Sequence, residues 1–240
     1  MKTLIKLSTV LLLLVTTTSC FMDGLAGIRG NGEVVSEDRS ISSNFSEIKV
    51  QQGIEVYLTQ GNSTEIKVEA DENIIDILRT EVKNNELKIY FDKNVYKATS
   101  RKVYVTTNNI SKISTSSGAL VKTENTIETS TLQLDSSSGS SIKVYVNADE
   151  VSTSSSSGAG IDIYGKSIEF SASASSGSSI DAGKLETINA TAKVSSGAII
   201  DVNVTGKLTA KASSGGDIDY EGNPVEVNKD TSSGGSVSGS

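Results

Sequence analysis

The 240-residue sequence predicts an all-β protein that winds as a parallel β-helix, or β-solenoid, with coils of about 19 residues. The tripeptide Ser-Ser-Gly occurs seven times in the second half, and successive glycines are 18 to 21 residues apart. A unit repeated at a nearly constant period indicates repeats that stack on one another. This unit leaves no room for a crossover helix, so each repeat is expected to form one turn of extended chain. The glycines are Gly118, Gly139, Gly158, Gly177, Gly197, Gly215 and Gly234.

Apolar and polar positions alternate within each repeat, which indicates strands rather than helices. The third residue after every glycine is Ile or Val, and alternate side chains of a strand share one face. These residues are therefore expected to stack inside the solenoid, with the glycine at a bend. By the same alternation, the small residues directly before and after the glycine should both point inward. The expected interior stack is Val121, Ile142, Ile161, Ile180, Ile200, Ile218 and Val237.

The N-terminus reads as an export signal, predicted over residues 1–19. Lys2 and Lys6 precede an apolar stretch that is too short to span a bilayer, and Cys20 follows small and polar residues. A cysteine in this place resembles the bacterial lipoprotein pattern, in which the thiol carries a diacylglycerol. We therefore expect lipidation of Cys20, the alternative being ordinary cleavage. Residues 20–40 are polar and contain four glycines, so they are predicted to form a flexible tether.

Residues 41–240 are predicted to form a single β-solenoid domain, with larger coils over 41–110 and the Ser-Ser-Gly repeats over 111–240. Strands are expected at 47–50, 54–60, 65–70, 86–91 and 102–107, and a hairpin turn at Asn84-Asn85. The acidic start and the apolar stripe of residues 71–78 favour a short helix that caps one end, the alternative being an irregular bulge.

The last repeat is incomplete, and an open solenoid end exposes strand edges. Either Pro224, which is the sequence's only proline, and the segment after it blunt that end, or another protein covers it. The alternative that the Ser/Gly-rich half is a linker is disfavoured, because every repeat keeps its apolar positions.

The composition excludes several chemistries. The sequence has no histidine, which removes Ser-His-Asp catalysis and histidine zinc sites, and its one cysteine cannot form an internal disulfide. All four arginines precede the repeats. The formal charge is −7, and −9 without residues 1–19, which disfavours nucleic acid as a partner. We expect no catalytic residue and no cofactor.

Two outward surfaces are candidates for binding. The fourth residue after the glycine gives a ladder of carboxylates that could attract divalent cations, although a solvated acidic edge is the favoured interpretation. The ladder is Asp162, Asp181, Asp201 and Asp219. The even positions before the glycine give a hydroxyl face that could meet glycans, although a plain hydrophilic face is favoured. That face contains Ser154, Ser156, Ser171, Ser173, Ser175, Thr191, Ser195, Thr209 and Ser213.

Three segments resemble a known family. They are FSEIKVQQGIEVYLTQGNSTEIKVEADENIIDIL over 45–78, the Ser-Ser-Gly coils, and EGNPVEV over 221–227. Together they resemble the putative auto-transporter adhesin, head GIN domain family. The resemblance implies a β-solenoid from a secreted or lipid-anchored bacterial protein, and it implies no enzyme. No residue of known function is carried over.

The sequence therefore favours a non-catalytic lipoprotein of the cell envelope, with a binding, adhesin-like or structural role. We expect an outer-membrane lipoprotein that faces the periplasm or the cell surface. Its expected partners are the membrane, through Cys20, and a protein or glycan of unknown identity. One alternative is an envelope enzyme that acts on polysaccharide. Another is an envelope sensor that works through partner contact.

Overall fold

The computed structural model describes residues 27–41 and 43–239, which form stacked coils of β-strand. The one short helix of these residues is α1, Glu72–Ile75. The strands are β1 Ile28–Arg29, β2 Val34–Arg39, β3 Glu47–Val50, β4 Glu55–Gln60, β5 Glu65–Asp71, β6 Leu78–Lys83, β7 Glu86–Phe91, β8 Val95–Lys97, β9 Arg101–Thr107, β10 Lys112–Thr115, β11 Leu120–Thr123, β12 Ile127–Ser137, β13 Ser141–Ser156, β14 Gly160–Ala174, β15 Ser179–Val194, β16 Ile199–Ala212, β17 Asp217–Glu221, β18 Glu226–Thr231 and β19 Ser236–Gly239.

The predicted parallel β-solenoid is confirmed. From β10 to β19, each strand pairs in parallel with its equivalent in the next coil. The aliphatic residues three places after each glycine stand in register, and all except the last are fully buried. Val237 is partly buried, since it belongs to the final coil. The ladder also continues beyond the repeats, because Val121 pairs with Val56 and Val56 pairs with Val103.

The bend at each glycine is a tight turn, and it corrects one expectation. Ser157 and Gly158 have φ of 54° and 69°, and the Ala159 N–H donates to the Ser156 carbonyl. Two successive residues with positive φ are the signature of a type I′ turn. The turn breaks the alternation of the strand, so Ser157 is exposed and only Ala159 is buried. The prediction that both neighbours of the glycine point inward is therefore wrong for the preceding serine.

Another turn between two coil strands with this pair of positive φ values lies outside the Ser-Ser-Gly repeats. Gln52 and Gly53 have φ of 62° and 68°, and the Gly53 N–H donates to the Ser117 carbonyl at 3.0 Å. The coil formed by β3 and β4 therefore stacks directly on the coil formed by β10 and β11. Its other side is covered by β7 and β9, which come later in the chain than β4. The spatial order of the first coils thus differs from their order in the sequence.

Antiparallel strands close the N-terminal end of the stack. β5 pairs with β9, β6 pairs with β7, and the β6–β7 hairpin turns at Asn84 and Asn85, which both have positive φ. The predicted hairpin and capping helix are therefore present. The helix covers only four residues and buries Ile74 and Ile75, whereas Leu78 already begins β6.

The predicted tether is wrong for residues 27–40. β1 pairs with β8, and β2 pairs with the outer edge of β5. The buried Asp71 carboxylate holds this segment against the cap, because it accepts the N–H of Gly32 at 2.9 Å and those of Thr99 and Ser100. A side chain at Gly30 would collide with that carboxylate. Backbone pairing and one buried anion therefore order the segment.

The C-terminal end of the stack is formed by β18 and β19. Val227 and Val237 are partly buried there, whereas Val225 is 90% exposed. Pro224 lies two residues before the start of β18 and does not interrupt it. No helix in the described part of the chain has both the length and the apolar character needed to cross a bilayer.

Candidate functional surfaces

The strands that follow each turn present an outward face that we call the charged face. One column of side chains runs along it in register, one residue from each coil, and we call it the charged column. Its four aspartates were identified from the sequence, whereas the two tyrosines were missed because they lie outside the Ser-Ser-Gly repeats. The column is Tyr104, Tyr57, Lys122, Lys143, Asp162, Asp181, Asp201, Asp219 and Ser238.

The four predicted aspartates therefore form one ladder, with one carboxylate on each of four successive strands. Burial raises the pKa of Asp162, and the Asp181 carboxylate raises it further, while Lys143 opposes the shift. Burial also raises the pKa of Asp201, together with the neighbouring Asp181 and Asp219. The aspartates thus repel one another along the solenoid. Among the described residues, no three carboxylates converge into a group that could hold a metal ion.

A pair of stacked tyrosines stands beside the column. The rings of Tyr145 and Tyr164 have centroids 4.9 Å apart and planes inclined by 24°. The ammonium groups of Lys143 and Lys184 lie 5.3 Å and 5.6 Å from the Tyr164 centroid. Each ring covers a face of the other, and lysines approach the Tyr164 ring. Tyr145 is 43% exposed, and the contacts with the other ring and the lysines occupy part of each ring surface.

The strands that precede each turn present a second outward face, which we call the serine face. It carries the hydroxyl residues predicted from the even positions, and all of them lie at least partly exposed. Three shallow grooves of about 320 to 390 Å³ cross this face. Lysines and carboxylates on neighbouring coils pair across it, with Lys112 3.3 Å from Asp135 and Lys211 3.3 Å from Asp230. Its surface is hydrophilic, and these ion pairs stand beside a further lysine, Lys193, which is in register with Lys211.

The third side of the coil carries a groove that the sequence analysis missed. The groove encloses about 610 Å³, and Ile168 and Ile188 line it. These two side chains stand on successive coils and are 46% and 49% exposed. Behind them the hydroxyls of Ser167 and Thr187 share a buried hydrogen bond of 3.0 Å. This groove was not predicted from the sequence because the isoleucine is not repeated in every coil. The coil before Ile168 has Asp149 at this position, and the coil after Ile188 has Gly206.

Cys20, the predicted lipidation site, lies outside the described residues, as does the predicted export signal. The four arginines lie outside the repeats, as expected from the sequence. Arg39 donates to the Ile75 carbonyl and pairs with Glu37, and Arg79 pairs with Asp92. These arginine contacts belong to the N-terminal cap. Arg101 begins β9, with its guanidinium beside Gly53, so the coils that carry the aspartate ladder contain no arginine.

The stacked coils and their outward ladders define a β-solenoid that presents flat surfaces. Residues 44–224 match the family described as putative auto-transporter adhesin, head GIN domain. Because the match covers more than half of the chain, the protein belongs to this family, and the predicted resemblance is confirmed. The family description is adhesin-like and names no enzyme.

Several solved structures share the fold. A protein described as a putative adhesin from Bacteroides fragilis NCTC 9343 has a TM-score of 0.83 and 20% identity, covering 89% of this chain and 100% of its own. A putative adhesin from Parabacteroides distasonis ATCC 8503 has a TM-score of 0.74 and 22% identity, covering 89% and 99%. A protein from the same organism, described as a putative lipid binding protein, has a TM-score of 0.71 and 21% identity, covering 89% and 99%. No curated protein matches the sequence.

Proposed function

We propose that the protein is a non-catalytic, adhesin-like binding module of the cell envelope, carried by a lipid on Cys20 at the outer membrane. Family membership supports the adhesin-like role. The signal-like residues 1–19 and the single cysteine directly after them support the anchor. Acyl chains supply the membrane affinity in this arrangement, because each buried methylene adds about 0.8 kcal/mol.

The observation that carries the proposal is the way polar side chains are displayed. The charged column and the serine face place one residue per coil, side by side on flat sheets about 4.8 Å apart. A glycosidase needs two carboxyl groups that flank the bond they cleave. Asp162, Asp181 and Asp201 instead project from the same sheet in the same direction. A flat array of this kind suits recognition of an extended partner.

The binding role is tested with the chain from residue 20 onward, applied to cells and to a glycan array. Ser173→Arg changes the serine face, and Asp201→Arg changes the charged face with the same new side chain. Both residues lie on the surface, so the variants are expected to fold. Loss of binding in one variant identifies the face used. Absence of binding by the unaltered chain to every cell and glycan would contradict the proposal.

The anchor is tested by growing cells that express the full chain with a clickable fatty acid. The unaltered chain should be labelled and recovered with the membranes. Cys20→Ser should abolish the label, while Ser19→Ala, next to it, should keep it. An unlabelled chain with an intact Cys20 would exclude the anchor and leave the binding role to be judged separately.

A second candidate is binding of an apolar or lipid ligand in the groove beside Ile168 and Ile188. Its volume of about 610 Å³ falls in the usual range for small-molecule sites. A structural relative is described as a putative lipid binding protein, which agrees with this candidate. Flotation with phosphatidylcholine vesicles should recover the chain from residue 20 onward. Ile168→Ser with Ile188→Ser should abolish recovery, while Ser171→Ala should not.

Cation binding by the four-aspartate ladder remains a prediction. Calorimetry with calcium is the direct test, because hard cations favour carboxylate oxygen. A saturable heat that disappears in Asp181→Asn would support a site. No heat and no shift in the melting temperature would leave the ladder as a solvated acidic edge.

A further inference from the structure

The charged column differs from the rest of the repeat surface in how its charges are arranged. At four places elsewhere on the repeats, a lysine on one coil pairs with a carboxylate on the next. These pairs are Lys112–Asp135, Lys166–Glu186, Lys207–Glu226 and Lys211–Asp230. In the column, two lysines stand on adjacent coils and four aspartates follow on the next four. None of these six side chains has an ion-pair partner within 4.0 Å in the described chain.

This segregation puts like charges next to each other along the column. Lys122 pairs in register with Lys143, and Asp181 lies between Asp162 and Asp201. Like charges directly opposite each other on neighbouring strands are destabilising. Like-charge neighbours also occur elsewhere, at Lys193 beside Lys211 and at Glu150 beside Glu169. The charged column is the longer case, because six charged residues follow one another in only two blocks of sign.

The sign of the column changes once, between Lys143 and Asp162. Consider a second copy that packs face to face against the first and is related to it by a two-fold axis passing between these two coils. The two solenoid axes are then antiparallel, and the column of the second copy runs in the opposite order. Lys143 then faces Asp162 of the second copy, and Lys122 faces Asp181. Tyr57 and Tyr104 face Asp201 and Asp219. Each remaining carboxylate thus stands opposite a hydroxyl, of which that of Tyr57 donates to Glu55 Oε2 at 3.2 Å within its own copy. The register is isologous, because every contact occurs twice.

The same axis brings the apolar groups of the face together. The stacked rings of Tyr145 and Tyr164 belong to the two coils that flank the axis. Two sheets packed face to face lie about 10 Å apart, a gap that a lysine and an aspartate extending from opposite sides can bridge. Tyrosine is enriched at the centre of protein interfaces, surrounded by a polar rim. The charged face matches this description, because Tyr145 and Tyr164 lie next to the two-fold axis and lysines and aspartates lie around them.

We propose that the charged face is a self-association surface, on which two copies of this chain dock with antiparallel solenoid axes. The partner is a second copy because the column is complementary to its own reversed sequence of charges. Docking places both lysines of the column opposite aspartates and therefore reduces the repulsion between Lys122 and Lys143 and between Asp162 and Asp181.

The test uses sedimentation velocity of the chain from residue 20 onward, which retains every described strand. The unaltered chain should sediment as a dimer that dissociates as salt is added, because ionic strength screens exposed charge pairs. Variant one, Lys122→Glu with Lys143→Glu, and variant two, Asp162→Lys with Asp181→Lys, should each be monomeric. An equimolar mixture should restore the dimer, since each altered charge then faces its opposite.

A control carries the same charge change on the serine face, as Lys193→Glu with Lys211→Glu, and should remain dimeric. A monomeric unaltered chain at all concentrations overturns the proposal, as does a dimer of variant one alone. Failure of the mixture to associate overturns the antiparallel register. Circular dichroism confirms that each variant is folded before its mass is interpreted.

The antiparallel register has a consequence that rests on the proposed anchor. It places the two N-terminal caps at opposite ends of the pair, which suits copies anchored in two facing membranes. Beads that carry the chain through its N-terminus should cluster, and variant one should abolish clustering. A dimer in solution without bead clustering would contradict the adhesive role and leave the surface intact. Binding to cells by a chain that forms no dimer would support the adhesive role and overturn the self-association surface.

Discussion

Replacing the buried Asp71 carboxylate is the most direct test of what stabilises the N-terminal cap. Asp71 is fully buried and accepts backbone N–H groups from Gly32, Thr99 and Ser100. Burial alone would raise its pKa, but the hydrogen bonds from Ser100, Gly32 and Thr99 outweigh burial and leave the pKa lowered. Asp71→Asn keeps the shape of the side chain and removes the charge that these donors point at.

The expected loss follows from the hydrogen bonds. A hydrogen bond to a charged group contributes about 1.5 to 3 kcal/mol, and the asparagine amide retains one acceptor oxygen. Its NH₂ group then faces N–H donors with which it cannot bond. We expect Asp71→Asn to lower the free energy of unfolding by about 2 to 4 kcal/mol, since such terms are not additive. The effect should concentrate in β1 and β2.

The assay combines urea unfolding with hydrogen exchange of the N-terminal strands. Asp76→Asn is the matched control, because Asp76 is exposed and lies five residues along the chain. Since the folded pKa of Asp71 is lowered, its contribution is present above the unfolded pKa and is lost as pH falls through the folded pKa. The difference between wild type and Asp71→Asn should therefore shrink in acid. A loss equal to that of the control, or a pH-independent difference, would refute the reasoning.

Three further predictions concern the repeats. Ile161→Ala should lower stability by about 2 to 5 kcal/mol in chemical unfolding, and Val237→Ala should lower it less because Val237 is only partly buried. In Gly158→Ala the new methyl group meets no neighbour, but residue 158 has φ of 69°, so the substitution should lower the free energy of unfolding by about 1 to 2 kcal/mol. Gly160→Ala should leave the free energy of unfolding nearly unchanged. Asp162→Asn should raise the melting temperature slightly at neutral pH and not in acid, because a raised folded pKa disfavours the folded state only above the unfolded pKa.

The repeats were predictable because their signals are local. The Ile and Val positions, the glycine turn and the outward column all follow from alternation within a strand. The Asn84-Asn85 hairpin follows in the same way from turn chemistry. The inward placement of Ser157 failed because the alternation holds only in extended chain, and a residue with positive φ interrupts it.

The N-terminal region was less predictable because its signals are not local. β2 exposes nearly every side chain, so its sequence carries no apolar alternation, and backbone pairing with β5 alone defines it as a strand. Gly53 forms the same turn as Gly118 but lies 65 residues earlier and lacks the preceding serines. The stacking of those two coils depends on the return of the chain after β9, which no short window of sequence shows.

The repeat sequence determines which side chains line up on the surface of the solenoid. Because equivalent residues align along the axis, one substitution per repeat sets a whole column, and a run of similar repeats produces a run of similar charges. Asp162, Asp181, Asp201 and Asp219 arise in this way, and so does the abrupt change of sign at Lys143. A repeat array that kept its columns mixed would gain stability from ion pairs between coils, as the serine face does at Lys112 and Lys211. The charged column lacks that gain within one copy, and the proposed docking of a second copy would supply it.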